Sequence, residues 1–423
     1  MPRHLCADEG MDGGQPSQLA EVAAGLQKEV VCVIGGCGYL GSHLVGMLHG
    51  VVREIRVYDV APPTALLFEQ MQMDEGRREK VSSSPPAKFS YVRGDILDME
   101  ALCRALEGCT SCIHCAAMID VHGDMPASRV REVNVQGTRN VLEACERASI
   151  PHLVYTSTVE VINGLHQNVE MTEDAPYPPS LRHFLYKRYA QTKADAERLL
   201  RRHAQTSDGR RVRIIILRPV AFYGEGDKLH IGDLIHSIRR RIVTVLIGAP
   251  PGHPKHALMD FAYVKNICFG HLLALHALKQ DDSNGRLDGE VFLLSDDTPA
   301  QSFFEFNRPF VEQAGYTLPS VYLPWWICYL FALLAELWAL LVGRMFVPLT
   351  TIAVDALCYT QTIKWDKARH VLGYRPLYTV AEGMDRTLKW FAKHPECNSF
   401  GTSGGDQQQR GRGGGRVGRK KGL

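Results

Sequence analysis

The sequence predicts an α/β chain: a doubly wound parallel sheet, a smaller C-terminal lobe and one long apolar segment. Three observations predict it. Short apolar runs alternate with helical stretches from Val30 to Leu217. Glycines at 35, 38 and 41 close the first run and open a helix. Trp325–Val342 reads WWICYLFALLAELWALLV. Short continuous apolar runs fit strands buried on both faces, and their alternation with helices places a parallel sheet between helix layers.

The elements follow in order. Val30–Ile34 ends in glycine, as a buried strand entering a turn does. Tyr39–His49 is helical, and Glu54–Tyr58 is a second strand ending at Asp59. Residues 61–88 hold Pro62, Pro63, Pro85, Pro86 and a serine run, a long connection with one helix around Leu66–Met73. Phe89–Arg93, Cys112–Ala116, Leu153–Ser157 and Arg213–Leu217 are the remaining strands. Met99–Leu106, Arg129–Ala148 and a stretch through Tyr189 to Arg202 are helices. Residues 1–28 read as a flexible N-terminus and 29–218 as the sheet domain with its cofactor site. Residues 219–398 read as a lobe on the sheet's C-terminal edge, and 399–423 as a disordered Gly, Gln and Arg tail.

At 423 residues the chain accommodates one large domain with an added lobe. Hydrophobic residues make up 45% and charged residues 22%, ordinary for a folded protein, and the net charge of +2 points to no polyanionic partner. The positive charge concentrates in the tail, at Arg410, Arg412, Arg416, Arg419, Lys420 and Lys421, and the body before it is mildly acidic. Twelve cysteines lack framework spacing and the N-terminus lacks a signal pattern, so a reducing, cytosol-facing environment is expected. Cys109, Cys112, His114 and Cys115 fall in and beside a buried strand with no second ligand pair at zinc spacing, and no metal site is expected.

The glycines assign a cofactor. Gly35 permits a tight turn, Gly38 lets the backbone approach a pyrophosphate, and Gly41 lets the helix pack close to the sheet; Tyr39 and Leu40 lie within the same turn. With a strand before and a helix after, this is a dinucleotide (Rossmann) site. Asp59, ending the second strand, accepts the adenine-ribose hydroxyls and repels a 2′-phosphate, so NAD is favoured over NADP. Asp95 either reaches the adenine amine or caps a helix. Tyr189 and Lys193, four apart, share one helix face, and an ammonium beside a phenol lowers its pKa toward working range. With a nicotinamide alongside, the pair moves a proton as a hydride passes between alcohol and ketone.

These residues resemble the extended short-chain dehydrogenase/reductases, and within them the 3β-hydroxysteroid and sterol dehydrogenase family, over about residues 29–395. The likeness is carried by the glycine turn, Gly94-Asp95, His114-Cys115-Ala116-Ala117, Asn134-Val135-Gln136-Gly137-Thr138-Arg139-Asn140-Val141, Tyr155-Thr156-Ser157-Thr158-Val159-Glu160-Val161, Tyr189 with Lys193, and Leu217-Arg218-Pro219. The resemblance implies Tyr189 as acid/base, with Lys193 lowering its pKa and binding the nicotinamide ribose. It implies Thr158, or Ser157 if the alignment slips by one, as the hydroxyl on the substrate oxygen. Asn134 would brace the active-site backbone, and Ala116, Ala117, Asn134 and Pro219 would border the cofactor. Some members also isomerise a Δ5-3-ketosteroid to the Δ4 form. The chain departs from the family at Tyr263-Val264-Lys265-Asn266 and in the length of 61–88.

Trp325–Val342, with Glu336 inside it, fits a buried helix, a spanning anchor or a helix lying in one leaflet; the two membrane readings are preferred. Lys420-Lys421 two residues before Leu423 matches a dilysine retrieval pattern. The expected protein is therefore an NAD-dependent 3β-hydroxysteroid or sterol dehydrogenase of the endoplasmic reticulum membrane, its catalytic domain facing the cytosol. Its partners would be a steroid or sterol and membrane lipid through 325–342, without nucleic acid and with a homodimer left open. The alternatives are a nucleotide-sugar epimerase or reductase of the same fold and a non-catalytic NAD-binding sensor or scaffold.

Overall fold

The computed structural model describes residues 18–395, apart from 82–84, 122–124, 207–211, 250–251, 254–255, 282–284 and 343–348. The basic tail, with Lys420 and Lys421, lies outside the described residues. The chain runs through α1 (Gln18–Leu26), β1 (Val30–Ile34), α2 (Tyr39–His49), β2 (Glu54–Asp59), α3 (Ala65–Val81), β3 (Lys88–Arg93), α4 (Met99–Leu106) and β4 (Ser111–His114). It continues through α5 (Ala127–Arg131), α6 (Thr138–Arg147), β5 (His152–Thr156), β6 (Asn168–Met171), α7 (Lys187–Ala204), β7 (Arg213–Pro219), β8 (Ala221–Tyr223) and α8 (Asp233–Arg239). Then come β9 (Leu246–Ile247), β10 (Phe261–Tyr263), α9 (Val264–Gln280), β11 (Glu290–Leu294), α10 (Phe303–Gln313) and β12 (Tyr322–Leu323). Last are α11 (Trp325–Val342), α12 (Thr351–Cys358), β13 (Gln361–Ile363), α13 (Asp366–Val371) and α14 (Val380–Lys393).

Seven strands form one parallel sheet in the order β11-β7-β5-β4-β1-β2-β3. Strand alternation explains why whole runs are apolar. Val31 and Val33 of β1 enter one core and Val30, Cys32 and Ile34 the other, and Ile215 and Ile214 of β7 divide the same way. Each buried aliphatic side chain contributes about 1.5–3 kcal/mol. β1 lies between β2 and β4, so the sheet reverses its build direction there, and a crevice opens at the strands' C-terminal ends.

Three expectations change. The N-terminus is helical from Gln18: α1 buries Leu19, Val22 and Leu26, packs on α9, and Gln18 Nε2 donates to Gly373 O (2.5 Å). The helix expected at Leu66–Met73 spans Ala65–Val81. The boundary at 218 cuts β7, and the segment beyond it returns to the sheet as α9 and the edge strand β11, because an edge strand and a bare sheet face are both left to be covered. The remaining pairs, β8 with β10, β9 with β12 and β6 with β13, belong to the lobe above the strands' ends.

Candidate active site

The glycine turn comes first. Gly35 has φ +87°, and a Cβ there would lie 2.6 Å from the Ala116 nitrogen; at Gly41 a Cβ would lie 2.1 Å from the Gly35 oxygen. No side chain fits either position, so the turn stays open to a pyrophosphate at the start of α2. Gly38, Tyr39 and Leu40 line the same cleft. Asp59 is oriented by two backbone donors, Cys37 N to Oδ2 and Ala61 N to Oδ1, each 2.9 Å. Each carboxylate oxygen keeps a lone pair for a ribose hydroxyl. Ala116, Ala117 and Pro219 line the cleft beside it. These residues fit NAD.

Two expected cofactor residues are otherwise engaged. Asp95 is not the helix cap, which is Asp98; its Oδ1 accepts from Leu97 N (3.0 Å) and its Oδ2 pairs with Arg129 (3.1 Å). It does line the cleft. Asn134 turns away from it. Its Oδ1 accepts from Met118 N (2.7 Å), and its Nδ2 donates to Met118 O and Thr192 Oγ1 (both 3.0 Å). It ties the cleft wall to the catalytic helix and keeps no free donor for the cofactor.

Tyr189, Lys193 and Thr158 all line the cleft, at the C-terminal end of β5 and on α7. Lys193 is 2% exposed, its Nζ donates to Thr156 O (2.7 Å) and stands 4.7 Å from the Tyr155 ring centre. Burial brings its pKa down to about 8, against the pull of Cys115 and Glu197. Burial pushes the Tyr189 phenol up, Glu160 adds to that, and a hydrogen bond with Thr158 works the other way. The expected lowering of Tyr189 by Lys193 is therefore not the governing effect: burial governs the phenol, and the ammonium is held by the strand end. Ser157 is committed elsewhere, donating to Glu197. Glu197 is chelated by Arg218 (Nη2 to Oε2, 2.7 Å; Nε to Oε1, 3.0 Å) and accepts from Tyr177 OH (2.8 Å).

Sequence reasoning missed that ion pair and one further group. An arginine inside a fully apolar strand, Ile214-Ile215-Ile216-Leu217-Arg218, was the available signal for the pair. Glu160 lines the cleft close to Tyr189, and burial raises it to about 7, with Asn163 and His230 opposing. Burial alone would lower His230; Asp227, 3.4 Å away, and Glu160 outweigh it and raise it. A carboxylate after a buried strand end was the signal there.

The cleft, about 910 Å³, runs on from Tyr189 into an apolar slot lined by Val243, Ile247, Phe304, Leu323, Phe331 and Leu357. Arg129 is the one arginine lining it among the described residues, and it pairs with Asp95 and Glu132. The site thus offers a dinucleotide groove, a phenol with an ammonium one helical turn away, and an apolar end.

Comparison with known proteins agrees. The family model described as 3-beta hydroxysteroid dehydrogenase/isomerase family matches residues 32–325. The chain is 31% identical to short-chain dehydrogenase/reductase family 42E member 1 of Homo sapiens, over 89% of this chain and 90% of that protein. It is 32% identical to 3 beta-hydroxysteroid dehydrogenase type 7 of Homo sapiens, over 87% of this chain and 97% of that protein. Among solved structures it is similar to dTDP-glucose 4,6-dehydratase from Streptomyces venezuelae with NAD and TYD bound (TM-score 0.60, 23% identity, 87% and 98% covered). It is also similar to an epimerase from Methanothermobacter thermautotrophicus (TM-score 0.64, 20% identity, 90% and 97% covered). At those identities the two structures speak for the fold alone.

Proposed function

This chain belongs to the 3-beta hydroxysteroid dehydrogenase/isomerase family, and from that premise we propose that it oxidises the 3β-hydroxyl of a steroid or sterol to the ketone, with NAD. The observation that carries the reading is one wall holding Tyr189, Lys193 and Thr158 that continues into an apolar slot. Bound NAD supplies the hydride acceptor. Thr158 hydrogen-bonds the substrate oxygen, and Tyr189, in its phenolate form, takes the hydroxyl proton and becomes the neutral phenol. Lys193, fixed by Thr156 O, holds positive charge beside the phenol and contacts the nicotinamide ribose. Asp59 selects the unphosphorylated ribose. A nucleotide-sugar substrate would call for cationic groups at the far end of the cleft; the apolar lining there supports a sterol instead.

Δ5–Δ4 isomerisation of the resulting ketone belongs to the same proposal. It moves one proton from C4 to C6 and consumes no oxidant. Glu160, raised to about 7 and close to Tyr189, is suited to take that proton and return it. The endoplasmic reticulum membrane, with the sheet domain in the cytosol, is the proposed location, supported by α11.

The test is NADH formation by purified protein supplied with 3β-hydroxysteroids. Tyr189→Phe should cut turnover about 10²–10⁴-fold while NAD still binds. Equal turnover by wild type and variant would remove Tyr189 from the chemistry.

A further inference from the structure

The long apolar helix has two opposite faces. Cys328, Ala332 and Ala339 are buried, and with Glu336 they form one stripe seated on α12. Trp326, Leu330, Leu334, Leu337 and Leu341 form the other, from about half-exposed to 85% exposed at Leu341. Core burial is therefore not its state in this fold. Glu336 is matched to the start of α12: it accepts from Thr351 N (2.7 Å) and from Thr351 Oγ1 (3.1 Å). At the other end Trp325 Nε1 donates to Asp355 Oδ1 (3.2 Å). The two helices thus lie antiparallel and are tied at two points along their length.

Chain topology excludes a single crossing. The strand before α11, β12, pairs with β9; after α11, β13 pairs with β6, α13 packs on β11, and α14 packs on α10 and β10. Both flanks belong to one folded body, so they share one side of any bilayer. The 18-residue helix is also only about 27 Å long at 1.5 Å per residue, against a hydrocarbon core of about 30 Å.

The cleft opens beside this face. Phe331 is 63% exposed and Ile242 is exposed as well, yet both line the cleft. They mark its mouth. Immediately before Ile242 stand three exposed cations, Arg239, Arg240 and Arg241. An apolar stripe flanked by cations fits an anionic phospholipid surface.

We propose that α11 lies flat in one leaflet, its Trp326–Leu341 stripe among acyl chains, and that the cleft mouth between Phe331 and Ile242 opens sideways into that leaflet. The nature of the cargo rests on the sterol reading; the mode of attachment does not. An apolar alcohol would pass from acyl chains to Tyr189 without entering water.

The full chain should float with vesicles of phosphatidylcholine and phosphatidylserine. Leu337→Asp with Leu341→Asp, which touches neither cofactor nor cleft, should weaken flotation about tenfold or more while NAD binding is kept. Arg239→Gln with Arg240→Gln should remove only the gain that phosphatidylserine brings. Protease added outside sealed vesicles should cut on both sides of α11. Any of four results overturns the proposal: wild type that does not float, a double Leu variant that floats as well as wild type, cleavage confined to one flank, or a dimer in vesicle-free solution that the Leu variant dissociates. Protein that floats as described but oxidises no steroid would overturn the function and leave the attachment standing.

Discussion

At the scale of single residues, burial decides the acid–base behaviour of Tyr189, Lys193 and Glu160 more than pairing does. Glu160 carries its proton up to about 7 because water is removed from its charged form. Its folded pKa exceeds the unfolded value, so the native state binds more protons between about 4.5 and about 7, and stability falls as pH rises through that window. Glu160→Gln should flatten this dependence in thermal melts, and should abolish Δ5–Δ4 proton transfer while leaving NADH formation largely intact. Asp59 works by shape and charge instead. Asp59→Ala should weaken NAD binding, and because repulsion of a 2′-phosphate disappears, NADP should gain relative to NAD; competition binding reads both.

At the scale of elements, the strand ends and the helix α7 are held together by polar groups inside an apolar fold. Arg218 on β7 and Glu197 on α7 are almost fully buried, and Ser157 and Tyr177 complete the shell. Removing one partner strands a charge. Glu197→Ala should cost about 3–5 kcal/mol in denaturant unfolding. It should also lower turnover, because it frees Ser157 and the register of the helix that carries Tyr189. Asn134 does similar work from the next segment, joining Met118 to Thr192. Neither group is positioned to react; both fix where the reacting groups stand.

At the scale of the whole molecule, one cleft joins two chemically different regions. Its floor is the crevice beside β1, polar and glycine-lined; its far end is built by β9, β12, α11 and α12 and is mainly apolar. A charge placed in the far end should divide the two functions. Val243→Arg should leave NAD binding unchanged and raise KM for a steroid alcohol at least tenfold, a burial cost of about 1.4 kcal/mol being a factor of ten. Steady-state kinetics with calorimetric NAD titration checks this.

The repetitive part of the protein was written locally. Strand runs, the glycine turn, Asp59 and the Tyr189–Lys193 spacing depend on periods of two and of 3.6 residues and on backbone sterics, which neighbours in sequence already specify. What needed the tertiary structure was every meeting between distant segments. Gln18 against Gly373, Ser157 turned to Glu197 rather than to substrate, Asn134 spent on Met118, and β11 returning to the sheet edge are pairings that no local pattern encodes. The apolar run at 325–342 shows the division most clearly. Its composition marked it out, but that it lies along the body beside the cleft follows only from where β13, α13 and α14 pack after it, because a helix's own sequence does not say on which side its two flanks will fold.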